Sequence, residues 1–167
     1  MGLFSRKKEK EVFKNEFGDF NYGKDLPNAA LSLLKENYND TIKKLGISNS
    51  DSYVNMASAI CNKLNSIKEK DCNFDEYGDL IDAVVILGSA LGEVICRNYN
   101  WHWFMLGETS SNDTFYVVSP NKDYCISPID IVYDVLIKNN SNKDVHEMFS
   151  SLKNLSNNSG FKYHVIH

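Results

Sequence analysis

The sequence predicts an α+β fold in which helices come first, a small antiparallel sheet of three to four strands follows, and C-terminal helices pack on that sheet. Three observations predict it. Apolar residues recur at helical spacing up to about residue 98, the period changes to two between residues 101 and 126, and helical spacing then returns. At 167 residues, with 43% apolar and 24% charged residues, the chain can build one domain with a full core.

Three helices are expected before the sheet. The first runs from Pro27 to Leu45 and ends at Gly46. The second begins after a cap at Ser50 or Asp51 and ends in the charged residues 68–70. The third, from about Asp75 to Asn98, is apolar nearly all round, which predicts burial on several sides.

Gly88 and Gly92 lie one turn apart inside this third helix, next to Leu87 and Leu91. They are not a phosphate-binding loop, because no strand precedes them. We expect them to let another helix or the sheet approach closely.

The sheet is expected from alternating aromatic and β-branched residues. Within its first strand Trp101 and Trp103 should share the inner face, whereas His102 and Phe104 share the other, where Phe104 would need cover. Ser127 and Pro128 form a good helix start. The remaining predicted elements are strands at 101–106, 114–119, 124–126 and 161–166 and helices from 128 to about 139 and from 144 to 155.

Residues 1–22 are expected to form a basic N-terminal arm, and residues 23–167 a single α+β domain. No signal peptide or membrane span is predicted, because no apolar stretch of suitable length and flanks occurs. No lipid anchor is predicted, because Arg6 occupies the position where the myristoylation pattern requires a hydroxyl. The four cysteines are scattered without a C-x-x-C pair, which is typical of reduced thiols in a cytoplasmic protein.

Charge is unevenly distributed along the chain. The whole chain carries −4, residues 1–14 carry +3, and residues 71–135 hold eleven acids and two bases, a local net of −9. Such a field repels nucleic acid and attracts basic partners. It can also serve only to keep the surface soluble.

Catalytic and metal-binding patterns are weak. None of the four histidines pairs with a cysteine or acid at ligand spacing, so neither a metal nor a cofactor is expected. Glu93 stands out as an acid on a buried helix, and Arg97 at i+4 is its expected partner. Glu93 and His102 are nevertheless kept as a candidate cleft pair of acid and base.

One resemblance concerns the middle of the chain. An L-G-x-x-L-G-E helix at residues 87–93 leads into Trp101 to Trp103, a hairpin with Tyr116-Val117-Val118-Ser119-Pro120, and the helix start Ile126-Ser127-Pro128-Ile129-Asp130-Ile131-Val132. This pattern resembles small uncharacterised bacterial domains, some of which are immunity proteins of bacterial toxin systems. The resemblance covers about residues 80–138 and implies no catalytic residues.

The leading hypothesis is therefore a non-enzymatic, cytoplasmic protein-binding domain, an immunity protein that neutralises a basic toxin through its acidic surface. Two alternatives stay open: a small hydrolase or ligand-binding enzyme that uses Glu93 and His102, and a scaffold protein whose basic arm contacts a membrane or a partner. The predicted partner-binding residues are Asp75, Glu76, Asp79, Glu108, Asp113 and Asp123.

Overall fold

The computed structural model describes residues 13–15, 18–20, 22–48, 50–69, 73–108, 113–137, 149, 151–152, 155 and 163–166. The predicted α+β class is confirmed. The helices are α1 (Asn28–Lys44), α2 (Tyr53–Glu69), α3 (Leu80–Tyr99) and α4 (Pro128–Ile137). The strands are β1 (Phe13–Asn15), β2 (Gly18–Phe20), β3 (Tyr22–Asp25), β4 (His102–Gly107), β5 (Asp113–Val118), β6 (Tyr124–Ile126) and β7 (His164–Val165).

The described strands form a five-stranded sheet in the order β3-β4-β5-β6-β7 and a separate β1-β2 hairpin. Neighbouring strands of the sheet are antiparallel from β3 to β6, whereas β7 runs parallel to β6. The β4-β5 pair is the longest ladder, with His102 opposite Val118 at one end and Gly107 opposite Asp113 at the other.

Helix α3 is the centre of the core, because it contacts α1, α2, α4 and the sheet. Its predicted burial on several sides is confirmed by an unbroken run of buried residues from Leu87 to Ile95. The two glycines act as expected. A Cβ atom at Gly88 would lie 2.7 Å from the Cα atom of Ile129 in α4, and one at Gly92 would overlap the ring of Trp103 from β4.

The other face of the sheet has its own apolar cluster, and Phe104 is at its centre. The cover that Phe104 needs comes from the chain itself: the ring of Tyr163 stacks on it at 6.1 Å between centroids, and the Lys122 ammonium lies 5.0 Å from its centroid. The buried members of this cluster are Phe104, Leu106, Val118, Cys125, Tyr163 and Val165. The sheet is therefore covered on both faces.

Several boundaries differ from the sequence prediction. Strand β3 was not predicted, and it begins at Tyr22, the last residue assigned to the arm. Helix α3 begins at Leu80 rather than near Asp75, because Gly78 takes a left-handed conformation and Asp79 is the N-cap. In α2 the capping hydroxyl belongs to Ser52, which accepts from the backbone N–H of Asn55, and not to Ser50 or Asp51.

Other predictions can be assessed only in part. Of the helix predicted at 144–155, residues 149, 151, 152 and 155 are described; the first three are helical, and Leu155 is not. Residues 1–12, which hold four of the five basic side chains of the arm, lie outside the described residues. Among the described helices, none has the length and apolar character that crossing a membrane requires.

Candidate functional site

The six predicted partner-binding acids lie on three separate turns. Asp75, Glu76 and Asp79 precede α3, Glu108 and Asp113 are at the β4-β5 connection, and Asp123 is between β5 and β6. The second and third turns are at opposite ends of the β4-β5 ladder, about 17 Å apart along β5 at ~3.3 Å per residue. The structure therefore spreads these acids over the surface and does not collect them at one point.

The turn before α3 is partly neutralised by lysines from the other helices. Lys63 of α2 forms an ion pair with Glu76, and Lys44 of α1 donates to the Glu76 backbone carbonyl at 3.4 Å. Both ammonium groups also lie over the ring of Tyr77, at 5.7 and 5.3 Å from its centroid. Burial, followed by the charge of Glu76, raises the pKa of the Tyr77 hydroxyl to about 12.

The other two acids of this turn have local roles. Asp79 accepts the backbone N–H of Asp82 at 2.9 Å, which caps the first turn of α3. Asp75 accepts from the Asn73 side-chain amide at 3.0 Å and is exposed. Both carboxylates stay at the surface beside their partners.

The β4-β5 connection contains one paired acid. Asp113 lies 3.5 Å from the Lys24 ammonium of β3, and the Asp113 side chain is largely buried. Glu108 is exposed. The positive charge of Lys24 thus partly neutralises the negative charge of Asp113, although the two residues are far apart in sequence.

In the turn before β6, the neighbouring side chains of Lys122 and Asp123 lie at different places. Its backbone is closed by a hydrogen bond from Lys122 N to Ser119 O at 2.9 Å, and Lys122 has a left-handed φ of 60°. The Lys122 side chain reaches Phe104 on the outer face of the sheet. Asp123 instead lines a cavity near the C-terminal end of α3.

This cavity has a volume of about 210 Å³. Aromatic rings from three positions line it, together with a carboxylate, polar turn residues and two leucines. The aromatic residues are Tyr99, Trp101 and Tyr124, and the other residues used below are Asp123, Leu152 and Leu155. No lysine, arginine or histidine of the described residues lines it.

Glu93 forms the expected ion pair with Arg97, with Oε1 and Nε 3.0 Å apart. Glu93 is 6% exposed. The guanidinium of Arg97 also lies 4.2 Å from the ring centroid of Tyr38 in α1, and Nη1 donates to the Tyr38 hydroxyl at 3.5 Å. The carboxylate is thus held where α3 packs on α1.

His102 lies on the outer face of the sheet, edge-on to Phe104 at 5.8 Å between ring centroids. Burial lowers the pKa of its imidazole, Lys122 lowers it further, and Asp25 opposes the shift. Trp103, on the opposite face, is the residue that packs on α3 at Gly92. Glu93 and His102 therefore lie on different sides of the sheet and do not converge in a cleft.

The described cysteines lie at three separate places in the fold. Cys61 and Cys125 are buried, Cys96 is half-buried, and burial raises the pKa of the Cys96 and Cys125 thiols above the usual value. Within the described ranges, no three histidine, cysteine or acidic side chains lie together as metal ligands would. Compared with protein-family models, curated proteins and solved structures, the chain matches none of them.

The aromatic cavity was not among the sequence-based candidates. Trp101 was interpreted as a core residue, and Asp123 was selected only for its charge. One signal was present: the turn at Ser119 and Pro120 lies between two strands and carries an acid at its end. Leu152 and Leu155 join the cavity from about thirty residues further along the chain, and no local pattern indicates that contact.

Proposed function

We propose that this chain is a cytoplasmic, non-catalytic protein-binding domain that captures a basic protein through acidic side chains on its surface turns. An immunity protein that neutralises a bacterial toxin is the proposed biological role, in line with the resemblance of residues 80–138 to such domains. The proposed partner is a protein and not a nucleic acid, because a surface rich in acidic side chains repels phosphates.

One observation carries the proposal: five acids of the segment with net −9 lie on turns or bends between helices and strands, where a partner has access. These are Asp75, Glu76, Asp79, Glu108 and Asp123. Glu108 and Asp75 are exposed, and Asp123 is half-buried at a cavity. Negative surface charge speeds the encounter with a cationic protein and makes it dependent on salt.

Ion pairs narrow the proposed contact surface. Lys63 and Lys44 lie beside Glu76, and Lys24 lies beside Asp113. These lysines reduce the negative electrostatic potential that the two acids present to a partner. The proposed contacts are therefore mainly Asp75, Glu108 and Asp123, with Asp79 beside the first of them.

The test is capture of a partner from native lysate at low salt, followed by identification of the bound protein and measurement of its Kd at several salt concentrations. We expect Glu108→Lys with Asp123→Lys to weaken binding by about tenfold or more and to flatten its salt dependence. The matched control is Glu36→Lys with Asp40→Lys, which makes the same charge change on exposed residues of α1.

The proposal fails if the captured partner is acidic, or if the two double variants weaken binding equally. Equal weakening would mean that only the net charge of the molecule matters. Asp113 is left intact in this test, because a lysine there would face Lys24 and disturb the edge of the sheet.

The two alternatives have less support. An enzyme that uses Glu93 and His102 needs both groups at one substrate, and they lie on opposite sides of the sheet. A scaffold role for the basic arm rests on residues 1–12, outside the described part of the chain, and it stays a prediction.

A further inference from the structure

The cavity beside the β5-β6 turn combines aromatic walls with a carboxylate. We infer that it binds the cationic end of a lysine or arginine side chain presented by the partner, an assignment that rests on the proposed function. The juxtaposition of Trp101, Tyr99 and Tyr124 with Asp123 carries the inference. These groups reach the cavity from the end of α3, the start of β4 and the β5-β6 turn.

The size of the cavity selects the kind of ligand. Pockets for drug-sized ligands are about 300–1,000 Å³, whereas a single water requires roughly 10–15 Å³. At about 210 Å³ the cavity is too small for a large substrate and too large for one or two waters. One extended side chain fits this range.

The residues that line the cavity favour a positively charged ligand. Faces of tryptophan and tyrosine attract ammonium and guanidinium groups, and the attraction grows when water is excluded. Leu152 and Leu155 also line the cavity and add apolar side chains to its wall. A neutral apolar side chain would leave the carboxylate facing an apolar group, whereas an anion would be repelled by it.

The protein already uses this combination for its own lysines. Lys63 lies over the ring of Tyr77 and pairs with Glu76, and Lys44 lies over the same ring. At the cavity the local lysine is directed away, because Lys122 lies over Phe104 on the outer face. Asp123 and the aromatic residues of the cavity are thus the same two types of group that hold the protein's own lysines at Tyr77.

The turn holds these groups in place before a ligand arrives. Ser119 and Tyr124 are joined by Ser119 N to Tyr124 O at 2.9 Å and by Tyr124 N to Ser119 Oγ at 3.0 Å. Tyr99 is fixed by a hydrogen bond from its hydroxyl to the Phe149 carbonyl at 2.8 Å. A site that is already ordered loses little conformational entropy on binding.

The experiment titrates the full chain with Nα-acetyl-lysine N-methylamide and with the arginine analogue, followed by two-dimensional amide NMR and tryptophan fluorescence. We expect saturable shifts at the Trp101 indole N–H and at the amides of residues 119–124. Asp123→Asn should weaken binding about three- to fivefold, because it keeps the shape and removes one charge.

Two controls isolate the cavity. Nα-acetyl-norleucine N-methylamide has a similar length without a charge and should not bind, and Glu36→Gln removes the same charge from an exposed position on α1 without changing the Kd of the probes. The inference is overturned if the probes cause no saturable shifts at these positions, or if Asp123→Asn and Glu36→Gln weaken binding equally.

The outcomes separate this inference from the proposed function. If the probes do not bind while Glu108→Lys with Asp123→Lys still reduces partner capture, the acidic surface stands and the cavity assignment falls. If the probes bind but Asp123→Asn leaves the Kd of the captured partner unchanged, the partner does not use the cavity and this inference is wrong.

Discussion

Gly92 determines how closely the central helix approaches the sheet. A Cβ atom there would overlap the indole of Trp103 and lie 3.0 Å from Cγ of Pro128. Alanine in a helix interior is favoured over glycine by about 1 kcal/mol, whereas overpacking a core costs about 1–3 kcal/mol. Because the overlap involves a buried ring, we expect Gly92→Ala to lower the free energy of unfolding by about 1–2 kcal/mol, measured by urea denaturation.

The control is to introduce Gly92→Ala into a chain that already carries Trp103→Leu. With the indole removed, the helix propensity of alanine should dominate, and Gly92→Ala should be neutral or stabilising there. A stabilising effect of Gly92→Ala in the unaltered chain would contradict the close-packing interpretation.

His102 should make stability depend on pH. Burial holds the pKa of its imidazole in the folded chain below the ordinary value of about 6.5. The unfolded chain therefore binds the proton first, and the stability that depends on neutral His102 is lost as the pH falls from about 6.5 through the folded pKa. We expect the free energy of unfolding to decrease over this range, and to decrease less in His102→Gln.

The measurement is urea denaturation of both chains at pH values between about 5 and 8, where aspartate and glutamate with ordinary pKa values stay ionised. Lys122→Met is a useful comparison. Removing that ammonium relieves one cause of the lowered pKa, so the loss of stability should be smaller in this variant and should end at a higher pH. Identical pH profiles for the unaltered chain and His102→Gln would refute the assignment.

Local spacing predicted some side-chain partners and could not predict others. The Glu93–Arg97 pair follows from i, i+4 spacing on one helix and is present. Lys24, Lys44 and Lys63 lie outside the acidic segment, and only folding brings them to Asp113 and Glu76. A sum of charges along the sequence therefore overstates the field that a partner meets.

At the scale of elements, the beginning of α3 depends on Asp79. Its carboxylate accepts from Asp82 N, and the residue before it, Gly78, turns the chain with a φ of 99°. We expect Asp79→Ala to lower the free energy of unfolding by about 1 kcal/mol, the usual loss for an N-cap. Asp75→Ala, which removes an exposed acid before the same helix, should change it by less than about 0.5 kcal/mol.

Thermal and urea unfolding of both variants measures this difference. Asp79→Asn keeps a capping oxygen and loses the charge. This variant therefore separates the capping role of Asp79 from its proposed role in partner binding. Equal destabilisation by Asp79→Ala and Asp75→Ala would contradict the capping role.

The elements with strong periodicity were predicted correctly, and the missed ones depend on distant pairing. Helices α1, α2 and α4 and strands β4 to β6 agree with their patterns within a few residues. Strand β3 has only Tyr22 as a large apolar residue, and it exists because it pairs with β4 some eighty residues later. The parallel pairing of β7 with β6 likewise cannot be inferred from either strand alone.

In the candidate site, too, the features set by local sequence were predicted and those that depend on distant contacts were missed. The sequence located acids at turns, since turn residues and charges are local features. The aromatic cavity needs Tyr99, Asp123 and Leu155 to meet, and that depends on how the last described residues return to the sheet. Sequence reasoning therefore found the charged residue of the cavity, Asp123, and missed the aromatic and apolar residues around it.

At the scale of the whole molecule, the sheet separates two apolar cores that different parts of the chain complete. The helices cover one face, with Cys61 of α2 among the buried residues. Tyr163 and Val165 help to cover the other, where the Cys125 thiol donates to the Tyr163 carbonyl at 3.4 Å. The reactivity of Cys61 therefore measures access to the helical core, and that of Cys125 measures access to the outer core.

Tyr163→Ala should open the outer core more than the helical one. Loss of a buried aromatic side chain costs about 3–5 kcal/mol when the site cannot collapse, and Phe104 would lose its stacked neighbour. Because only the thiolate reacts with alkylating reagents, and burial suppresses it, Cys125 should react slowly in the unaltered chain. We expect its alkylation under native conditions to rise about tenfold or more in Tyr163→Ala, measured by peptide mass spectrometry.

Cys61 is the internal reference for that experiment, since it is buried on the opposite side of the sheet. Local opening of the outer core would accelerate Cys125 alone, whereas global unfolding would accelerate both cysteines by the same factor. Equal acceleration would mean that the two cores unfold as one unit and that the C-terminal cover has no separate stability. A larger effect at Cys125 would instead identify the last strand as the part of the fold that opens first.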